Sequence, residues 1–73
     1  MILSEALRRF RKQFKLTQKQ AAAAASIHER LYQNYEYGKV IPSIEVIYNL
    51  AEHFDVSIDY LVGRTENPKS HKL

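Results

Sequence analysis

The sequence predicts an all-α domain of five short helices, and three observations predict it. Apolar residues recur at three and four positions in two separate stretches, Leu3, Leu7, Phe10, Phe14 and Ile44, Ile47, Leu50, Ala51, Phe54, which is the spacing of a helical face turned to a core. Between them lie two capping-box patterns, Thr17 with Gln20 and Ser26 with Glu29, each marking a helix start. Beyond them, Ser57 and Gly63 bracket an apolar cluster that reads as one last short helix. At 73 residues there is room for one domain with a small core, near the lower limit for a chain that folds without staples.

The first helix is expected from Leu3 or Ser4 to Phe14, with Arg8, Arg9, Arg11, Lys12 and Lys15 on its remaining surface. A basic amphipathic helix of this kind would also suit an anionic membrane or a calmodulin-like groove. That rival ranks below a core-facing helix, because the segment is short, lacks tryptophan and runs directly into a second helix whose apolar face needs a partner. Thr17 opens the second helix, and the five alanines 21–25 keep it helical and thin. The third begins between Ser26 and His28 and ends at Gly38, where glycine supplies a left-handed residue without a steric penalty. Two starts are open. With Ser26 as cap, Glu29 reaches back to it and is structural; with a start at His28, Glu29 is free to read a base. Pro42 and Ser43 open a fourth helix whose face Ile44, Ile47, Leu50, Ala51 and Phe54 is core, Asp55 breaks the pattern, and the fifth helix runs from Ser57 to about Leu61. Residues 66–73 carry no apolar period, so the domain is expected over 1–65 and a flexible tail over 66–73.

The second and third helices, about two turns each and separated by so short a break, cross steeply in a helix-turn-helix. Ile27, Tyr32 and Tyr35 have the spacing to point inward, with Leu31 at the core edge, and this leaves Glu29, Arg30, Gln33 and Asn34 outside. An arginine grips guanine bidentately, asparagine or glutamine does so with adenine, and glutamate accepts from cytosine. A polar outer face alone is what any exposed helix carries. The distinguishing feature is an ordered set: Leu16-Thr17-Gln18, then Tyr35-Glu36, Gly38-Lys39 and Pro42-Ser43.

That order resembles the lambda repressor and Cro (XRE-type) family of helix-turn-helix proteins over about residues 3–65. The resemblance implies a compact five-helix lambda-repressor-like fold and sequence-specific binding of double-stranded DNA. It implies a phosphate contact for Gln18 and a structural ion pair between Arg11 and Glu36. Lys15 stands where the family commonly has glycine, so the first helix is expected to close differently from the family's, and Ser26 replaces the family's usual turn glycine, which leaves the start of the third helix open. His28 replaces a usual serine or threonine cap and, when protonated, is a candidate phosphate contact. Ala21 and Ala25 replace larger aliphatics while Tyr32 stands where isoleucine is common, a compensation that keeps core volume roughly constant. Tyr37 and Lys39 at the helix end are candidate phosphate contacts. Ile58, Tyr60 and Leu61 are the expected dimer contact, since in the family this end of the domain often supplies one; a two-fold dimer would bind a palindromic operator.

Net charge is +3, but residues 1–39 hold eight Lys or Arg against three acids while residues 40–73 hold three against five. A basic half fits a partner carrying phosphates. Without cysteine there is no disulfide framework, thiolate zinc site or thiol nucleophile, and His28, His53 and His71 lack ligand spacing, so no metal or cofactor is expected. No apolar run approaches the ~20 residues of a membrane span, and Ser4 and Glu5 so near the start do not read as a signal peptide. A cytoplasmic location is expected. No catalytic constellation or small-molecule site is evident. The expected function is a transcriptional regulator, a repressor acting by operator occupancy, with an antitoxin or controller-type autorepressor and a protein-interaction module as alternatives.

Overall fold

The computed structural model describes residues 3–65 and 67–68. Five helices follow one another, with no strand among the described residues: α1 (Leu3–Gln13), α2 (Gln18–Ala24), α3 (Glu29–Glu36), α4 (Ile44–Phe54) and α5 (Ile58–Leu61). The all-α expectation and the two-helix motif at α2 and α3 both hold.

One kind of closure ends every helix. A residue in the left-handed region is followed by a backbone N–H that reaches the carbonyl five residues back, the wider bond of a Schellman motif. The left-handed residues are Lys15 (φ 57), Ser26 (φ 60), Gly38 (φ 78), Asp55 (φ 57) and Gly63 (φ 91). The bonds are Leu16 to Arg11 at 2.9 Å, Ile27 to Ala22 at 3.0 Å, Lys39 to Asn34 at 2.9 Å, Val56 to Ala51 at 3.0 Å and Arg64 to Asp59 at 2.8 Å. The first helix therefore does not close in a different way: Lys15 takes up the glycine-like conformation, and orphan carbonyls are satisfied at the expense of a Cβ clash.

Helix starts follow the hydroxyl caps. Thr17 and Gln20 form the full capping box, with Gln20 N–H donating to Thr17 Oγ1 (3.0 Å) and Thr17 N–H to Gln20 Oε1 (2.8 Å). Ser43 caps α4 and Ser57 caps α5, accepting from the backbone N–H of Val46 and Tyr60. At α3 the cap position is His28, with no side-chain bond, and Ser26 lies in the turn instead, so Glu29 is the first helical residue.

Leu7, Phe10, Tyr32, Leu50, Tyr60 and Leu61 are fully buried at the centre. Phe10, Phe14 and Phe54 pack as three mutually inclined rings with centroids 5.2 to 5.5 Å apart, joining α1 to the end of α4. Ala21, Ala22 and Ala25 present a thin buried face, and Tyr32 is buried at 0% exposure, as the exchange of volume between α2 and α3 requires.

Two expectations are corrected. Ile44 is 74% exposed and is not core: as the first residue after the Ser43 cap it projects from the rim, and Val46, Ile47, Leu50 and Ala51 form the inward face. Tyr60 and Leu61 are 1% and 0% exposed and so are not available to a dimer contact. The reason is the length of α5: four residues make little more than one turn, and packed against α1 and α4 it has no spare apolar face beyond Ile58. Arg9 covers this turn, its guanidinium lying 4.5 Å from the Tyr60 ring centre and donating to the Tyr60 carbonyl. Of the tail expected over 66–73, Asn67 and Pro68 are described, and Ser57 N–H donates to the Pro68 carbonyl at 2.6 Å; the remainder lies outside the described residues.

Candidate nucleic-acid interface

The site is built on α3 and its cap residue His28. Tyr32, Tyr35 and Glu36 point into the domain, while His28, Glu29 and Arg30 are exposed and Gln33 and Asn34 are half-buried one turn on. Gln33 Nε2 donates to Glu29 Oε2 at 3.4 Å, a long bond along one edge of the exposed face. Tyr37 and Lys39 continue the band past the helix end, both exposed, with the Lys39 ammonium 6.0 Å from the Tyr37 ring centre. The side chains expected to contact DNA from α3 onward thus lie along one helix and its exit. Gln18, at the start of α2, is half-buried and turned toward α3 instead.

What holds α3 is a carboxylate. Glu36 is 0% exposed, and Arg11 grips it bidentately with one edge of its guanidinium, Nε to Oε2 at 2.7 Å and Nη2 to Oε1 at 3.1 Å. Arg11 Nη1 also donates to the Leu16 carbonyl at 3.1 Å, so one side chain ties α1, the α1–α2 turn and α3. Gln18 Nε2 adds a further donor to Glu36 Oε1 at 3.2 Å. Arg8 donates to the Glu36 backbone carbonyl. Burial alone would raise the Glu36 pKa, but hydrogen bonds from Arg11, Tyr32 and Gln18 outweigh it and hold the carboxyl below its ordinary range. The same contact raises Arg11 above its usual value. The Tyr32 hydroxyl is pushed well up, by burial first and by its hydrogen bond to Glu36 second, and sits 3.5 Å from the Leu7 carbonyl.

Sequence reasoning anticipated the Arg11–Glu36 pair through the resemblance, and the geometry is the bidentate one. It missed Arg8 and Arg9 as anchors, reading both as solvated face. Their partners are backbone carbonyls at helix ends 28 and 51 residues away, which leave no trace in residue identity. Val40 and Ile41, the residues that the protein-interaction alternative would use, are exposed, and Tyr37, Ile44 and Tyr48, which that reading did not include, are exposed in the same stretch, with Ile58 apart from it in sequence. Among the described residues no group of three potential ligands is placed to hold a metal ion, and no helix is long and apolar enough to cross a membrane.

Comparison with known proteins agrees with this architecture. The family pattern described as helix-turn-helix matches residues 7–61. The chain is 39% identical over 62 residues to YobD, an uncharacterised HTH-type transcriptional regulator of Bacillus subtilis, with 85% of this chain and 55% of the relative covered. It is 38% identical over 68 residues to YqaE, another such regulator of that organism, covering 93% and 59%. With the transcriptional repressor RstR of the cryptic phage CTXphi of Vibrio cholerae it shares 33% identity over 73 residues, covering 100% and 65%. The chain therefore spans between 55% and 65% of the length of these relatives. In three dimensions it resembles the crystal structure of a transcriptional regulator from Listeria innocua, with a TM-score of 0.74 and 36% identity over 84% of this chain and 57% of that one. With a family pattern spanning most of its length, and an α2–α3 pair in mutual contact whose second helix is fastened from behind by a buried ion pair, the chain belongs to the helix-turn-helix family.

Proposed function

We propose that this chain binds double-stranded DNA sequence-specifically as the reading domain of a transcriptional regulator, acting as a repressor by occupying an operator as a dimer in the cytoplasm. The observation that carries this is the division of α3: His28, Glu29 and Arg30 are exposed with Gln33 and Asn34 half-buried beside them, while the opposite face is clamped through Glu36. In this reading Arg30, Asn34, Gln33 and Glu29 meet base edges, and Gln18, His28, Tyr37 and Lys39 meet phosphates and set the register. In this reading the domain acts by binding alone. The roles of its relatives, two transcriptional regulators and a phage repressor, support it.

A two-fold dimer would seat its two reading helices about one DNA turn, ~34 Å, apart on a palindrome. With Tyr60 and Leu61 in the core, the large apolar side chains left exposed for a second copy among the described residues are Ile58 and the strip from Tyr37 to Tyr48. That strip also favours a second reading, a protein-interaction module on the same scaffold, in which Arg30 and Asn34 are dispensable. An antitoxin or controller-type autorepressor would bind DNA in the same way and is separated by whether a toxin or modification enzyme is encoded next door. The test is selection of bound duplexes from a random pool, followed by affinity against salt. A palindromic winner with a steep salt slope and a large preference over random DNA is expected; weak binding indifferent to sequence would turn the proposal toward the interaction module.

A further inference from the structure

α4 turns one face to the core and leaves the other in solvent. Val46, Ile47, Leu50 and Ala51 are buried where the helix packs on α2 and α5, while Ile44, Glu45, Tyr48, Glu52 and His53 are exposed. Two kinds of side chain share the outer face. Ile44 (74% exposed) and Tyr48 (53%) stand one turn apart and give it an apolar border. Glu45 and Glu52 stand two turns apart, ~10.5 Å, and form an acidic ridge beside that border. The Tyr48 hydroxyl donates to Glu52 Oε1 at 3.3 Å, which joins the two. The helix carries no lysine or arginine to neutralise the ridge.

This pairing of apolar border and acidic ridge selects among occupants. The phosphates of a nucleic acid or an anionic lipid surface are repelled by two carboxylates. A second copy laid along the face meets its own charge. A two-fold axis along the helices sets Glu45 beside Glu45 of the copy, and one across them, midway between Tyr48 and Asn49, sets Glu45 against Glu52 of the copy. Opposite charge at the same spacing is what fits. We propose that the outer face of α4 docks a basic amphipathic helix of another protein, with lysine or arginine side chains seven residues apart on Glu45 and Glu52 and apolar side chains on Ile44 and Tyr48. The face belongs to a different helix from the band assigned to DNA, so the inference stands without the DNA-binding reading, and it leaves Ile58 for a contact between copies.

The test is selection of helix-forming peptides from a phage-displayed random library on the whole chain. Fluorescence anisotropy then measures the winner against wild type, Glu45→Gln/Glu52→Gln and Tyr48→Ala, each first shown by thermal melting to be folded. All three side chains are exposed, so these variants leave the core as it is. Winners are expected to carry two basic residues seven apart beside an apolar pair. Neutralising both glutamates should weaken the winner about 5-fold, and by more at low salt. Tyr48→Ala should weaken it about 10-fold at any salt concentration. No winner at all, winners without the basic pair, or affinities that neither variant changes overturn the proposal. So does sedimentation of the wild type as a dimer that Glu45→Gln/Glu52→Gln strengthens and Ile44→Lys dissolves, since the face is then a contact between copies.

Discussion

Arg11→Ala is the most informative single change, because the structure sets out what it leaves behind. The substitution removes two charge-assisted bonds to Glu36, at 2.7 and 3.1 Å, and the bond to the Leu16 carbonyl. Gln18 and Tyr32 stay in place, but neither carries a charge, and the Glu36 carboxylate has a side-chain exposure of 1%. Leaving a buried charge without its counter-charge costs about 3 to 5 kcal/mol, a large share of the ~5 kcal/mol a domain of this size holds. At about 4 to 8 °C per kcal/mol the melting temperature should fall by at least ~12 °C. Arg11→Met/Glu36→Met removes the charge together with its partner and should lie within about 2 kcal/mol of wild type. Far-UV circular dichroism melts and urea titrations of the two variants measure this. If Arg11→Ala costs under ~1 kcal/mol, or the pair replacement costs as much as the single change, the argument from an uncompensated buried carboxylate is wrong.

Acid should act through the same group. A carboxyl whose folded pKa lies below its unfolded value contributes stability above about pH 4.5 that is lost as pH falls through the folded value, so melting temperature should drop below that pH in wild type and drop less in the methionine pair. Arg30→Ala and Asn34→Ala should each cost about 1 to 3 kcal/mol at the selected site and relax preference at one base pair, whereas Lys39→Ala should weaken all duplexes alike and lower the salt slope by about 1; competition binding over a library of single-base variants separates the two patterns. If the exposed apolar residues join two copies, Ile44→Lys or Ile58→Lys should give folded monomers in analytical ultracentrifugation. Leu61→Lys, at 0% exposure, should instead unfold the domain.

Much of this fold was legible because its starts and its core are local. Thr17, Ser43 and Ser57 cap helices where a hydroxyl precedes an apolar period, and Phe10, Phe14 and Phe54 fall where helical spacing puts them. The outer face of α3 was legible for the same reason, as the complement of Tyr32 and Tyr35. What stayed hidden depends on tertiary contact. Ile44 extends the α4 stripe one turn too far, and only packing decides where a stripe leaves the core. Tyr60 and Leu61 read as surplus because one-turn helices give no period from which to count faces. Whether Ser26 or His28 opens α3 was undecidable by pattern, and His28 at the cap with Ser26 in the left-handed turn position settles it.

The shared closure of the five helices bears on how this domain can change over generations. Glycine turns only two of them; at the other three a residue with a Cβ sits where glycine is the unstrained choice. Aspartate at position 55 tolerates that conformation better than most, but Lys15 and Ser26 each carry a penalty of about 1 to 2 kcal/mol, offset in part because glycine would loosen the unfolded chain. Both are exposed and neither belongs to the outward band of α3. Mutation to glycine at these turns is thus an untapped reserve. A lineage that had lost stability by altering base-reading residues could recover some of it there, leaving the new specificity untouched.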